Sequence, residues 1–196
     1  MYSCTQRILV STVKSWADIS RWYDDLCKEH LAKVNEAMKQ KTAALIADKK
    51  DDTAKVMALF QFVSQQIRYT GITDEDTAPG YEPHDVDQTF DRRHGVCRDK
   101  AALLTAMLKL AGFKAYPVLF MAGAPKDKEV ANIYFNHAIV AWEKNPGEYQ
   151  LMDPTFETTT GFLPGYLAGF PYLVAKPEGE TLRLAPSLKA DAPLIK

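Results

Sequence analysis

The sequence predicts an α+β domain in which helices come first and an antiparallel sheet follows. Two observations carry this reading. From Trp16 to Ala111 the apolar residues recur at helical spacing, i, i+3, i+4 and i+7. After Gly112 the period changes, and "KAYPVLF", "YFNHAIVAW" and "EYQLMDPT" alternate as strands do. The 196 residues contain no internal repeat or low-complexity tract, and they are enough for one domain with a real core.

In chain order, Arg7 to Val13 alternates and is rich in branched residues, which predicts a short strand. With nothing before it to pair with, it reads as the strand remnant of an upstream domain over residues 1–14. The main domain is then expected over 15–175, and a C-terminal strand and tail over 176–196. Ser15 is a candidate N-cap for a helix opening at Trp16, whose apolar face is Ile19, Trp22, Tyr23 and Leu26. Helix-favouring sequence continues to about Ile46, where "DKKDDT" breaks it. Asp52 or Thr53 can cap the next helix, which carries Val56, Leu59, Phe60, Val63 and Ile67 on one stripe and Tyr69 at its end. Thr70 to Asp85 is rich in Gly, Pro, Asp, Glu and Thr, a loop longer than an idle connector needs. The short helix "VDQTFDRR" leads to Gly95. A helix from about Cys97 to Ala111 follows, with Leu104, Met107, Leu108 and Ala111 on one face and Gly112 as its C′ stop. Beyond the three strands, "PYLVA" and "TLRLA" are expected at a sheet edge, and the last eight residues are expected to be loose.

Composition narrows the function. Hydrophobic residues make up 46% and charged residues 25%, the balance of a globular protein. A net charge of −1 gives no general attraction to nucleic acid or an anionic membrane. No run approaches the roughly 18–20 apolar residues that span a bilayer, and the opening "MYSCTQRILVSTVKSW" has no signal-peptide pattern. Three cysteines at irregular spacing do not make a disulfide framework, and the absence of C-x-x-C argues against a structural zinc site.

Cys97 is the residue of interest. A thiol becomes a nucleophile when its pKa is lowered, a base is within reach and that base is oriented. Cys97 opens a helix, where free N–H groups and the macrodipole favour a thiolate. His137 lies in an alternating strand, on the face of Ile139 and Ala141. "EKNPGE" joins this strand to "QLMDPT", and a hairpin with its tip near Asn145 puts His137 directly opposite Asp153, within carboxylate-to-imidazole reach. Pro154 marks a strand end, where a site can open to solvent.

With these residues in order, "RHGVCRDKAALLTAMLKLAGFKAYPVLF", "FNHAIVAW" and "LMDPT" resemble the transglutaminase-like superfamily with its papain-like core. The match runs from about Trp16 to Leu173. It is closest to bacterial members in which a β-rich domain of unknown function precedes the transglutaminase-like one; "IRY", "GYEPHD", "G-x-C-x-D-K-A" and a late "LP" recur there. Val96 stands where close relatives often carry an acidic residue. The resemblance implies Cys97 as nucleophile, His137 as general base and Asp153 as its orienter. It implies acyl transfer on an amide through a thioester, with a peptide or protein substrate, in an exported or periplasmic protein longer than this chain. Peptidase or amidase hydrolysis leads. Protein crosslinking by a transglutaminase, or a non-catalytic peptide- or glycan-binding module with a relic triad, are the alternatives. No cofactor is expected, since "TDEDT" lacks the ligand spacing of a calcium loop.

Other residues have two readings each. His94, Cys97 and His137 could bind a metal, although acidic or sulfur partners at ligand spacing are missing. Tyr69 either points its hydroxyl at the oxyanion position or packs. Tyr81 and His84 either form a cleft wall beside Cys97 or serve the fold, with Tyr81 packed on the helices and His84 bonded to backbone. Arg98, Asp99 and Lys100 are expected to be solvated or ion-paired, with Asp99 suited to the helix dipole. Cys4 and Cys27 are expected to be inert.

Overall fold

The fold comes from a computed structural model, which describes residues 8–71, 80–158 and 161–187. Its helices are α1 (Trp16–Ala32), α2 (Glu36–Ile46), α3 (Asp52–Gln66), α4 (Val86–Arg92) and α5 (Cys97–Leu110). Two-residue strands β1 (Arg68–Tyr69) and β2 (His94–Gly95) form a small parallel pair before α5. The main sheet contains β3 (Ala115–Phe120), β4 (His137–Asn145), β5 (Glu148–Met152), β6 (Pro171–Val174) and β7 (Arg183–Leu184). It is antiparallel throughout, in the order β5-β4-β3-β6-β7. The predicted α+β class and the order of helices then sheet are both present.

Caps set the helix boundaries. Ser15 accepts the Asp18 N–H and starts α1. The expected continuous helix to Ile46 is interrupted because Asn35 accepts the Met38 N–H at 2.9 Å and opens a new helix. Asp51, one residue before the expected caps, accepts the Ala54 N–H at 2.8 Å and starts α3. Gly112, at φ +86°, ends α5. The expected strand over Arg7 to Val13 does not form in residues 8–13, and Arg7 lies outside the described residues. No ladder is made there, so the branched side chains of Ile8 and Val10 stand in solvent. Residues 72–79 of the long loop, Cys4 and the tail from 188 also lie outside the described residues.

Helix α5 is buried continuously from Asp99 to Leu108, the pattern of a helix enclosed on all sides. The α3 stripe of Val56, Leu59, Phe60, Val63 and Ile67 is fully buried beneath it. The sheet alternates as predicted. Ala138, Val140 and Trp142 join the helical core, while Ile139 and Ala141 join a second cluster with Val118, Phe120 and Leu151 on the other face. This packing fixes the first turn of α5 against the start of β4.

Candidate active site

The site begins at the turn before α5. Tyr69 pairs with Gly95 in the β1–β2 ladder, and the Thr70 N–H bonds the Gly95 carbonyl at 3.0 Å. Gly95 is required by space: a Cβ there would stand 2.7 Å from the Asp99 Cβ and 3.3 Å from Thr89 Cγ2. Asp99 is 2% exposed, and its Oδ2 accepts the Val96 N–H at 3.0 Å. Val96 is the N-cap but has no side-chain oxygen to offer the first-turn N–H groups. This position therefore places no carboxylate beside them. Cys97, the first helical residue, is half-buried.

His137 Nε2 and Asp153 Oδ2 are 2.9 Å apart, and Cys97 lies close enough to the ring to raise its pKa. The predicted pairing is present, but its register differs. Val140 faces Met152, where a tip at Asn145 would give Gln150. The turn lies later, at Pro146–Gly147, and an irregularity between Glu143 and Asn145 absorbs one residue. The slip is two residues, which preserves parity, whereas a slip of one would have put the side chains on opposite faces. His137 and Asp153 therefore meet diagonally, with Asp153 just past the strand end.

Asp153 is fully buried. Its Oδ1 accepts the Thr155 N–H at 3.0 Å and the Thr155 hydroxyl at 2.7 Å, leaving Oδ2 for the imidazole. Burial works against the carboxylate, but the His137 hydrogen bond and charge, with both Thr155 donors, outweigh it and hold Asp153 below the usual carboxylate range. Burial likewise works against a charged His137. The Asp153 hydrogen bond, then the Cys97 contact and the charges of both partners, outweigh that and raise the ring to about 9. Because the folded value lies above the ordinary one near 6.5, the pair stabilises the fold fully below about 6.5 and loses that contribution as pH rises through about 9.

Tyr69 is 41% exposed and lies within electrostatic range of Cys97 and Asp153; burial first, then those charges, raise its pKa and keep it a donor. Its backbone N–H bonds Glu157 Oε1 at 2.8 Å. Tyr81 and His84 are both engaged with protein partners, Phe135 and Asp99 respectively. His84 bonds the Asp99 side chain through its ring nitrogen and backbone N–H, where a backbone partner was the simpler expectation. Cys27 is buried, and desolvation pushes its thiol up to about 12. Among the described residues no group of three or more His, Cys, Asp or Glu is placed to hold a metal ion. No helix among them is long and apolar enough to cross a membrane.

Sequence reasoning missed three participants. Lys100 was expected to be solvated or ion-paired, yet it is completely buried and donates to the Ser64 and Ile67 carbonyls at the end of α3. Desolvation lowers its pKa to about 8, against the charges of Glu157 and Asp153. Its place one turn after Cys97, on a helix enclosed by core, was the available signal. Thr155 follows "DP" as a turn-forming residue able to bond the aspartate. Tyr166, in the short turn Gly165–Leu167, reaches Asp153 with its hydroxyl, and no local pattern marks it.

Known proteins resemble this chain in fold and family. The family model described as the transglutaminase-like superfamily matches residues 39–154, more than half the chain. Curated proteins gave no match. Among solved structures, a candidate protease from Parabacteroides distasonis is similar over 87% of this chain and 32% of its own, with a TM-score of 0.62 and 16% identity. This chain thus spans about a third of that protein's length. A candidate cysteine protease from Cytophaga hutchinsonii (TM-score 0.47, 21% identity) covers 61% of this chain and 37% of its own. A TGase (TM-score 0.42, 17% identity) covers 78% and 36%. The first of these shares the helices-then-sheet fold. On the family match over its central residues, the chain belongs to the transglutaminase-like superfamily.

Proposed function

We propose that the domain transfers an acyl group from an amide through a thioester on Cys97, with hydrolysis as the principal outcome. The observation that carries the reading is the His137 ring, bonded through Nε2 to buried Asp153 and in contact with Cys97 at the start of α5. His137 takes the thiol proton and Asp153 stabilises the resulting imidazolium. The thiolate attacks the amide carbonyl. The Cys97 N–H and the Tyr69 hydroxyl hold the oxyanion. The imidazolium then protonates the departing amine, and water, activated by His137, releases the acid and restores the thiol. Every catalytic group in these steps is a residue of the chain.

The experiment is turnover of a mixed peptide-amide library, followed by mass spectrometry, for the wild type and Cys97→Ala, with and without a primary amine. Cleaved acids that vanish in Cys97→Ala support hydrolysis. Amine-coupled products exceeding acids would favour crosslinking. Stable peptide binding without any Cys97-dependent product would leave a binding module.

A further inference from the structure

Tyr81 and His84 had two readings, a cleft wall beside Cys97 or a support of the fold, and their bonds show what each holds. The Tyr81 hydroxyl donates to the Phe135 carbonyl at 2.9 Å and accepts the Phe135 N–H at 3.2 Å. Both capacities of one hydroxyl are spent on one backbone residue, two positions before His137. Three residues after Tyr81, His84 places its backbone N–H at 2.9 Å and its Nδ1 at 3.1 Å from Asp99 Oδ1. The other Asp99 oxygen holds the Val96 N–H, next to Cys97. One short segment therefore grips the lead-in to the His137 strand at one end and the nucleophile turn at the other.

The same segment is fastened from behind. His30, in the last turn of α1, has Nδ1 2.7 Å from Asp85 Oδ1 and Nε2 2.9 Å from Glu82 Oε1. The Asp87 N–H bonds the Lys33 carbonyl at 3.1 Å. The Tyr81 ring stands edge-on to Trp22 with centroids 5.9 Å apart. A connector needs none of these. Together they fix the segment to α1, α5 and the approach to β4.

We propose that Tyr81–Asp85 is a strap that sets the separation of Cys97 and His137, with Tyr81, His84 and His30 as positioning residues. This rests on the reading of Cys97 and His137 as a reacting pair. Proton transfer between them needs hydrogen-bond reach, and a displacement of about 1 Å can cost on the order of 100-fold in rate.

Tyr81→Phe tests the strap, because it keeps the ring on Trp22 and removes only the hydroxyl. The readouts are kcat, KM, melting temperature and the rate of Cys97 alkylation by iodoacetamide across pH. The expected result is a kcat lower by roughly 10- to 100-fold, KM within about twofold, a nearly unchanged melting temperature, and alkylation at pH 7 slowed toward that of an ordinary thiol. His30→Gln, at the far end of the strap, is expected to act in the same direction and serves should Tyr81→Phe fold poorly. A rise in KM alone, with alkylation unchanged, would make Tyr81 a substrate contact and overturn the proposal. A lower melting temperature with an unchanged alkylation profile would make the segment merely structural and also overturn it. The two readings fail separately. Absence of Cys97-dependent turnover in the wild type, with alkylation still sensitive to Tyr81→Phe, removes the catalytic reading and leaves the strap. Normal wild-type turnover with an indifferent Tyr81→Phe does the reverse.

Discussion

Replacing Asp153 by asparagine is expected to lower turnover by about 10³- to 10⁴-fold, the scale seen when a buried orienting carboxylate of this kind is lost. The reason lies in the donors around it. Thr155 presents an N–H and a hydroxyl to Oδ1, and His137 presents a ring N–H to Oδ2. An amide has one oxygen and one NH₂, so one of these two sides must then face a donor. The His137 ring either loses its acceptor or adopts the other tautomer, and the carboxylate that holds the imidazolium is gone. With the Asp153 bond and charge gone, burial works against the charged ring and only Cys97 opposes it, so its titration should fall well below about 9. NMR of the His137 ring and steady-state rates check both parts. An Asp153→Asn enzyme of near-normal rate, with His137 still titrating near 9, would remove Asp153 from the mechanism.

The second large effect is expected at Gly95, where alanine should disrupt the nucleophile turn. Gly95 does not have a positive φ, so backbone freedom is not the issue. Its Cβ would stand 2.7 Å from the Asp99 Cβ and 3.2 Å from Asp99 Oδ2. Asp99 cannot withdraw freely, because it holds Val96 on one oxygen and His84 on the other. Overpacking of this kind costs about 1–3 kcal/mol, and each kcal/mol lowers Tm by roughly 2–4 °C in a domain of this size. Turnover should fall further than stability does, since the displaced residue fixes the Cys97 turn. Gly71→Ala, whose Cβ would meet nothing within 4 Å among the described residues, is the control and should change Tm little. Equal behaviour of the two variants in thermal melts and turnover would contradict this account of the turn.

Much of this arrangement could be read from the chain. The α3 stripe and the α5 face were visible because helical periodicity reports burial directly. The alternation of "HAIVAW" was visible for the same reason at period two. The His137–Asp153 pair was found on the right face through a register two residues off, because a turn tip and an irregular ladder position are local backbone choices that alternation does not encode. Lys100 was misjudged for a different reason. Its role depends on partners at Ser64 and Ile67, far away in sequence, and a polar residue of unknown neighbours reads by default as solvent-facing. The strand expected near the N-terminus failed because composition can favour extension but cannot supply a partner.

The central claim is that His137 makes Cys97 a nucleophile, and the most direct measurement is the alkylation rate of each cysteine against pH, resolved by mass spectrometry, in the wild type and His137→Ala. An ordinary thiol, with a pKa of about 8.5, is mostly protonated and slow at pH 7. Cys27, buried and pushed up to about 12, should be slower still. The account predicts that Cys97 reacts fastest at pH 7, because the His137 ring, charged up to about 9, stands beside its sulfur. His137→Ala should remove that advantage and return Cys97 to a rate that climbs with pH like a free thiol. Cys97 reacting no faster at pH 7 than an ordinary thiol, or unaffected by loss of His137, would contradict the account.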